Sequence, residues 1–347
     1  MKRINVIIDS YNLVFQNKSG GIKVRIQNFE KRIASKVNIK KYDKWNDSIE
    51  DYDVIHIFKS SAESYSLLKY AHSKNIPVVV SSVVPSEKRI VILLNRIICK
   101  FFHLYTERYM NELVLRNADA ICAQTYQEKR FISKAFHIND SCIRVIPNGI
   151  SLKNNPSIDS HSFSEMTGIS GDFVLMVGRF DENKNQLNVI KAIQNTDINL
   201  VLIGGADKEN LDYFEKCKNV AGSNVHFLGW VEHDNPILEA AYKAAKTVIL
   251  ASHKEIFGNS LIEGGACGAN LVVSNALPID EWGIKDYCIT INPNNIKEIQ
   301  EAIFESMRTE KNETVKNTIN ELFSWDSVID QYIDVYNEVI ERRTKND

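Results

Sequence analysis

Two glutamates and two cations carry the chemistry available to this sequence. Glu255 and Glu263 stand eight positions apart in EIFGNSLIEGG, with Phe257, Gly258 and Asn259 between them. Arg179 and Lys184 stand five apart in VGRFDENKNQ, directly after an apolar run that ends in Gly178. Charged side chains are seldom buried without partners, so acids at both ends of a largely apolar segment suggest a binding site. A guanidinium and an ammonium at the end of a strand can clamp a diphosphate, one through a planar fork and the other as a point charge. The plainer alternatives are a solvated turn for the cations and an exposed helix start for the acids. Gly20 and Gly21 open a helical stretch where free N–H groups suit an anion, although a simple flexible loop reads almost as well. The pattern there is not GxGxxG, so no dinucleotide fingerprint is present.

Such residues need a scaffold to position them. A length of 347 residues suggests two domains. Short apolar runs alternate with helical stretches: INVII, DVIHIF, IPVVVSS, the run within 117–123 and CIRVIPNG in the first half. FVLMVG, INLVLIGG, NVHFLG, TVILAS, NLVVS and YCITI follow in the second. Apolar strands alternating with helices predict doubly wound α/β domains, in which ligands sit at the carboxyl ends of strands. The segment 37–49 is too weakly patterned to assign a strand. The polar piece LKNNPSIDSHS, Leu152–Ser162, reads as the linker.

Composition narrows the classes further. Hydrophobic residues make up 44% and charged residues 25%, the ordinary balance of a folded soluble chain. No run of 18 apolar residues predicts a membrane span, and MKRINVIIDS reads as a first strand rather than a secretory leader. The six cysteines lack metal-ligand spacing and are expected as reduced thiols in a cytoplasmic protein. Through Ile150 the chain carries 24 Lys and Arg against 14 Asp and Glu; the remainder carries 18 against 30. A basic half and an acidic half imply separate tasks.

GGIKVRI, VIPNGI, VGRFDENKNQ and EIFGNSLIEGGACG, in that order and spacing, resemble the retaining GT-B glycosyltransferases of family four. The likeness runs over almost the whole chain and is strongest from Cys142 to Asn275. It implies two Rossmann-like domains facing across a cleft. Residues 1–160 would bind the acceptor, with 330–347 packing back on them, and residues 161–329 would bind the nucleotide-sugar. By the same resemblance Arg179 and Lys184 hold the donor diphosphate, Glu255 lies beside the transferred sugar and Glu263 holds the ribose hydroxyls. Phe257, Gly258 and Asn259 match a loop whose backbone meets sugar and phosphate, and Gly21 matches a glycine close to the diphosphate. The base is expected against backbone near Gly204 and Phe227, beyond the strand end at Gly178. The resemblance implies no cofactor and no metal. By the same resemblance the donor would be a nucleotide diphosphate sugar, UDP-linked ahead of GDP-linked. The acceptor would be a saccharide or lipid-linked saccharide of cell-surface polysaccharide synthesis (lipopolysaccharide or capsule), with the configuration at the anomeric carbon retained.

One departure stands out. Many members carry a His in the loop after the strand matching Ile76–Val80, whereas 81–88 here reads SSVVPSEK. Ser82 can donate a hydrogen bond there but cannot supply an imidazolium. A catalytically weakened GT-B partner subunit therefore remains an alternative, as does a GT-B epimerase or phosphorylase. His56, inside VIHIF, reads as a satisfied core residue. The stretch 87–116 mixes an apolar face with Lys88, Arg89, Arg96, Lys100, Arg108 and Arg116. It fits an amphipathic helix on an anionic membrane surface, placing the protein on the inner face of the cell membrane, or equally a domain-packing helix with a solvated basic side. No module for nucleic acid is present.

Overall fold

The computed structural model describes residues 3–12, 14–16, 21–150, 152 and 155–345. They form two compact units: 1–149 joined by 325–347, and 150–324. The chain thus passes from one unit to the other at Gly149, ahead of the polar segment expected as the linker. That segment belongs to the second unit. Ile158 is buried in its core, and the Asn155 amide donates to the Glu239 carboxylate at 2.6 Å. Residues 153 and 154 of it lie outside the described residues.

Each unit is built on a six-stranded parallel sheet. In the first, β1 (Asn5–Ser10), β2 (Asn38–Lys41), β3 (Val54–Phe58), β4 (Val78–Ser81), β5 (Ala120–Ala123) and β6 (Ile143–Val145) lie in the order 2-1-3-4-5-6. The central strands are largely apolar because helices cover both faces, so nothing drives alternation, and His56 in β3 and Ser81 in β4 are buried polar exceptions. β2 is the edge strand in the weakly patterned segment. Its NIKK sequence exposes Lys40 and half-buries only Ile39, the charged make-up by which sheet edges resist further pairing.

In the second unit, β7 (Phe173–Val177), β8 (Asn199–Ile203), β9 (Val225–Gly229), β10 (Thr247–Leu250), β11 (Asn270–Ser274) and β12 (Cys288–Ile291) take the order 9-8-7-10-11-12. The chain winds outward in one direction from β7 to β9, then returns to place β10 on the other side of β7. Between β7 and β10 the strand order reverses, and in open α/β sheets this switch point leaves a crevice beyond the strand ends.

The terminal helix Trp325–Thr344 belongs to the first unit and packs along the helix Gly21–Ile33. Trp325, Val328, Ile329, Tyr332, Val335, Tyr336 and Val339 repeat at helical spacing and are all buried with Phe29 and Val54. Beneath the Trp325 ring lies Gly149, where a Cβ would come within 2.4 Å of the indole. The stretch 87–116 is two helices, Arg89–Phe101 and Glu107–Asn117, not the single long helix its periodicity suggests. His103, in the left-handed conformation at φ 54°, breaks them apart. No helix among the described residues is long and apolar enough to cross a membrane.

Candidate functional site

The second sheet brings the opening residues together. Arg179 and Lys184 follow β7, and Glu255 follows β10, the two strands that flank the switch point. Lys184 Nζ lies 2.6 Å from Glu255 Oε2, so the two loops meet through an ion pair. Both side chains are partly buried, at 26% and 17% exposed. The Ser252 hydroxyl adds a longer contact to the same carboxylate oxygen, at 3.4 Å.

Backbone bonds zip the two loops together. The His253 amide donates to the Asn183 carbonyl at 2.8 Å, and the Lys254 amide donates to Asn183 Oδ1 at 2.9 Å. Asn183 Nδ2 returns a bond to the Lys254 carbonyl. Two residues on, Asn185 stands at φ 68°, starts the helix Gln186–Ala192 and donates to the carbonyls of Ala251 and Pro293. The sequence reading assigns these two asparagines no role. The available signal was the pair of them on either side of Lys184, since Asn tolerates the left-handed conformation that a tight strand-to-helix turn demands.

Arg179 is half exposed and held by two acids. Its Nε donates to Asp181 at 3.1 Å and its Nη1 to Asp207 at 3.0 Å. Asp181 also receives the Lys184 amide at 2.8 Å, so one carboxylate sets the positions of both cations. The carboxyl ends of β7, β8 and β9 are tied by amides of Gly178, Phe180 and Gly204 donating to carbonyls of Ile203, Gly205 and Gly229. At Gly204, φ is 152° and a Cβ would sit 2.0 Å from the Gly178 carbonyl oxygen. Only glycine fits that position.

Gly258 starts the helix Asn259–Ala266 in the left-handed conformation, with Leu250 and Leu277 packed where a side chain would go. Glu263 lies on this helix, 6% exposed, and its Oε1 is 2.9 Å from His233 Nε2. Tyr242, fully buried, lies beside the same carboxylate; burial first, and then the Glu263 charge, push its phenol well above the ordinary range. Gly264 lets the helix press on Val248, where a Cβ would come within 2.5 Å. Glu263 is thereby held against the sheet with its outer oxygen on an imidazole. His233 comes from the loop after β9, thirty positions upstream, and nothing in the local sequence marks it.

Other expected residues lie in the core or at helix starts. Phe257 is buried against Trp282 and Phe323, and Phe227 packs in an aromatic cluster with Phe180 and Phe214. Asn259 is exposed at the first turn of its helix. Gly21, in the first unit, opens the helix Gly21–Ile33, while Gly20 lies outside the described residues. Among the described residues no cluster of three His, Cys, Asp or Glu side chains is arranged to hold a metal ion.

The 81–88 loop is fastened in an unforeseen way. Glu128, 2% exposed, accepts from the Ser82 hydroxyl and the Val84 amide, both at 2.8 Å, and from the Gln124 amide at 2.7 Å. Burial raises its pKa, and the three donors oppose that rise. Ser82 is therefore an anchor of its loop.

Known proteins resemble the chain in both units. Residues 6–154 match the model of Glycosyltransferase Family 4, and residues 163–321 match that of Glycosyl transferases group 1. An uncharacterized glycosyltransferase of Methanocaldococcus jannaschii is 26% identical over 250 residues, 68% of this chain and 62% of that protein. The O-antigen chain mannosyltransferase C of Escherichia coli is 24% identical over 211 residues, 58% of this chain and 56% of its own length. The chain thus spans less than two thirds of the length of these curated relatives. Among solved structures, Anabaena HepE in complex with UDP and glucose superposes with a TM-score of 0.72 at 16% identity, over 97% of this chain and 100% of that one. That likeness establishes the fold as GT-B, two Rossmann-like domains in one chain.

Proposed function

From a chain of GT-B fold, related in sequence to the group 1 and family 4 glycosyltransferases, we infer an enzyme that moves a hexose-type sugar from a nucleotide diphosphate sugar to a saccharide or lipid-linked saccharide. The observation that carries this reading is the Lys184–Glu255 pair at the switch point of the second sheet, with Arg179 on the same loop as Lys184 and Glu263 on the helix that follows Glu255. A donor diphosphate placed there takes Lys184 and Arg179 from their carboxylate partners. Glu255, so released, accepts hydroxyl protons of the sugar, and Glu263 accepts those of the ribose.

The reaction needs no covalent help from the protein. The bond between the anomeric carbon and the diphosphate oxygen breaks, and the acceptor hydroxyl oxygen bonds to that carbon on the same face. The hydroxyl proton passes to the departing phosphate. The two cations stabilise the charge that grows on that phosphate, the usual largest electrostatic contribution in such sites. HepE was crystallised with UDP and glucose, which supports a UDP-sugar ahead of a GDP-sugar. The O-antigen relative supports a role in cell-surface polysaccharide synthesis.

A second reading, a partner subunit without transfer activity, is favoured by one observation. The loop at 81–88 has no His, and the hydroxyl of Ser82 is already bound by Glu128. Incubation with UDP-, GDP- and ADP-hexoses, followed by assay of released nucleotide diphosphate, separates the readings. Turnover of a UDP-hexose above the others is expected. UDP binding without turnover of any donor would favour the partner subunit. Absence of both binding and turnover would overturn the site.

A further inference from the structure

Ten of the twenty large hydrophobic side chains exposed among the described residues lie within Ile90–Tyr105, in the first unit. On the helix Arg89–Phe101 they form one face. Ile90, Leu93, Leu94, Ile97 and Phe101 are 47–77% exposed, and Phe102 continues the surface past the helix end at 64%. At 100° per residue the exposed apolar positions from Leu93 round to Val91 span an arc of about 160°. The opposite face is fastened inward: Ile92 and Cys99 are buried, and Arg96 reaches back to Glu112 at 2.7 Å and to the Ala135 carbonyl at 3.1 Å. A contiguous apolar surface of this kind marks an interaction site.

The flanks say what covers it. No Asp or Glu occurs from Lys88 to Thr106. Arg89 and Lys100 fall together on one edge of the arc, with Lys88 just before the helix, and none of the three is ion-paired among the described residues. A second copy docked by a two-fold axis would bring this all-cationic rim towards itself. An anionic bilayer complements it, accepting the apolar arc among acyl chains and the cations at the headgroups. With 13 residues the helix is about 20 Å long, too short for a hydrocarbon core of about 30 Å, so it lies in the plane of the surface.

We propose that the Arg89–Phe101 helix seats the first unit on an anionic phospholipid surface, with the apolar arc inserted and Lys88, Arg89 and Lys100 on the headgroups. The proposal rests on the glycosyltransferase reading only for its use, the delivery of a lipid-carried acceptor. Vesicle binding is measured without donor or acceptor, so either can fail alone.

The test is co-sedimentation of the full chain with phosphatidylcholine vesicles, with and without phosphatidylglycerol, at low and high salt. Wild type is expected to partition onto the anionic vesicles. Leu94→Ser/Ile97→Ser/Phe101→Ser should bind about tenfold or more weakly at all salt concentrations. Arg89→Gln/Lys100→Gln should bind several-fold more weakly at low salt and about equally at high salt. Far-UV circular dichroism confirms folding; Phe101→Ser alone, at the most exposed of these positions, should weaken binding about threefold if the triple variant does not fold. Wild type that ignores anionic vesicles at low salt would overturn the proposal, as would serine variants that bind like wild type. A wild-type dimer that the triple variant dissolves, without vesicle binding, would assign the face to a second copy instead.

Discussion

The two sheets carry their polar groups in different states. On the first, Arg25 donates to Tyr332 at 2.7 Å, Tyr332 meets Ser81 at 3.1 Å, and His56 bridges Ser81 at 2.8 Å and Tyr336 at 2.6 Å. All five are buried, and together they tie a helix, two strands and the terminal helix. On the second, the pairs Arg179–Asp181, Arg179–Asp207 and Lys184–Glu255 stand at strand ends within reach of solvent. A sealed network that loses a member leaves a desolvated group behind, at about 1–3 kcal/mol. The Arg179 guanidinium, half exposed, can exchange a carboxylate for a ligand at little cost, because exposed ion pairs contribute only about 0–1 kcal/mol to stability, and the Lys184–Glu255 pair, though more buried, stands at the same strand ends. The first arrangement holds a fold together; the second is the one that the proposed function gives to a charged ligand.

Breaking the second arrangement should give the largest effect. Arg179→Ala and Lys184→Ala are each expected to slow transfer about tenfold to a thousandfold, equivalent to about 1.4–4 kcal/mol of lost transition-state stabilisation. The urea midpoint should hardly move in either variant. Kinetics with the donor found by the screen, alongside unfolding curves, checks both halves. A large loss of stability with normal turnover per folded molecule would put Arg179 and Lys184 in the structural class.

The sealed network should reveal itself through pH. Burial, with the nearby Arg25 charge, holds the His56 pKa well below its usual value, so the ring is neutral in the folded chain. In the unfolded chain it takes a proton below about pH 6.5. The unfolded state then binds more protons, and stability falls as pH drops through that value, by up to about 1.4 kcal/mol per unit. Urea unfolding of wild type and His56→Gln at pH 7.5 and 5.5 tests this. The wild type should show the steeper loss, whereas equal slopes would show that another group carries it.

Strand ends and motif residues were readable from the sequence because parallel strands are apolar runs and the cations follow one of them directly. What could not be read was adjacency. That β7 and β10 are neighbours depends on the reversal of strand order, which no local pattern encodes, and the contact between Lys184 and Glu255 follows from it. His233 and Glu128 escaped for a related reason: His233 meets Glu263 thirty positions away, and Glu128 holds Ser82 and Val84 more than forty positions upstream. The edge strand β2 was obscured by its own lysines. The break at His103 hid because the apolar period runs through it, while its left-handed backbone gives no side-chain signal.

The smallest differences, and the most direct, lie between the two glutamates. Titration calorimetry of UDP into wild type, Glu263→Gln and Glu255→Gln needs neither acceptor nor sugar. If the second sheet's strand ends hold a nucleotide diphosphate, wild type binds UDP, Glu263→Gln binds it about tenfold more weakly because a charge-assisted pair of ribose hydrogen bonds is lost, and Glu255→Gln stays within about threefold. Equal UDP affinity in wild type and Glu263→Gln would contradict the assignment.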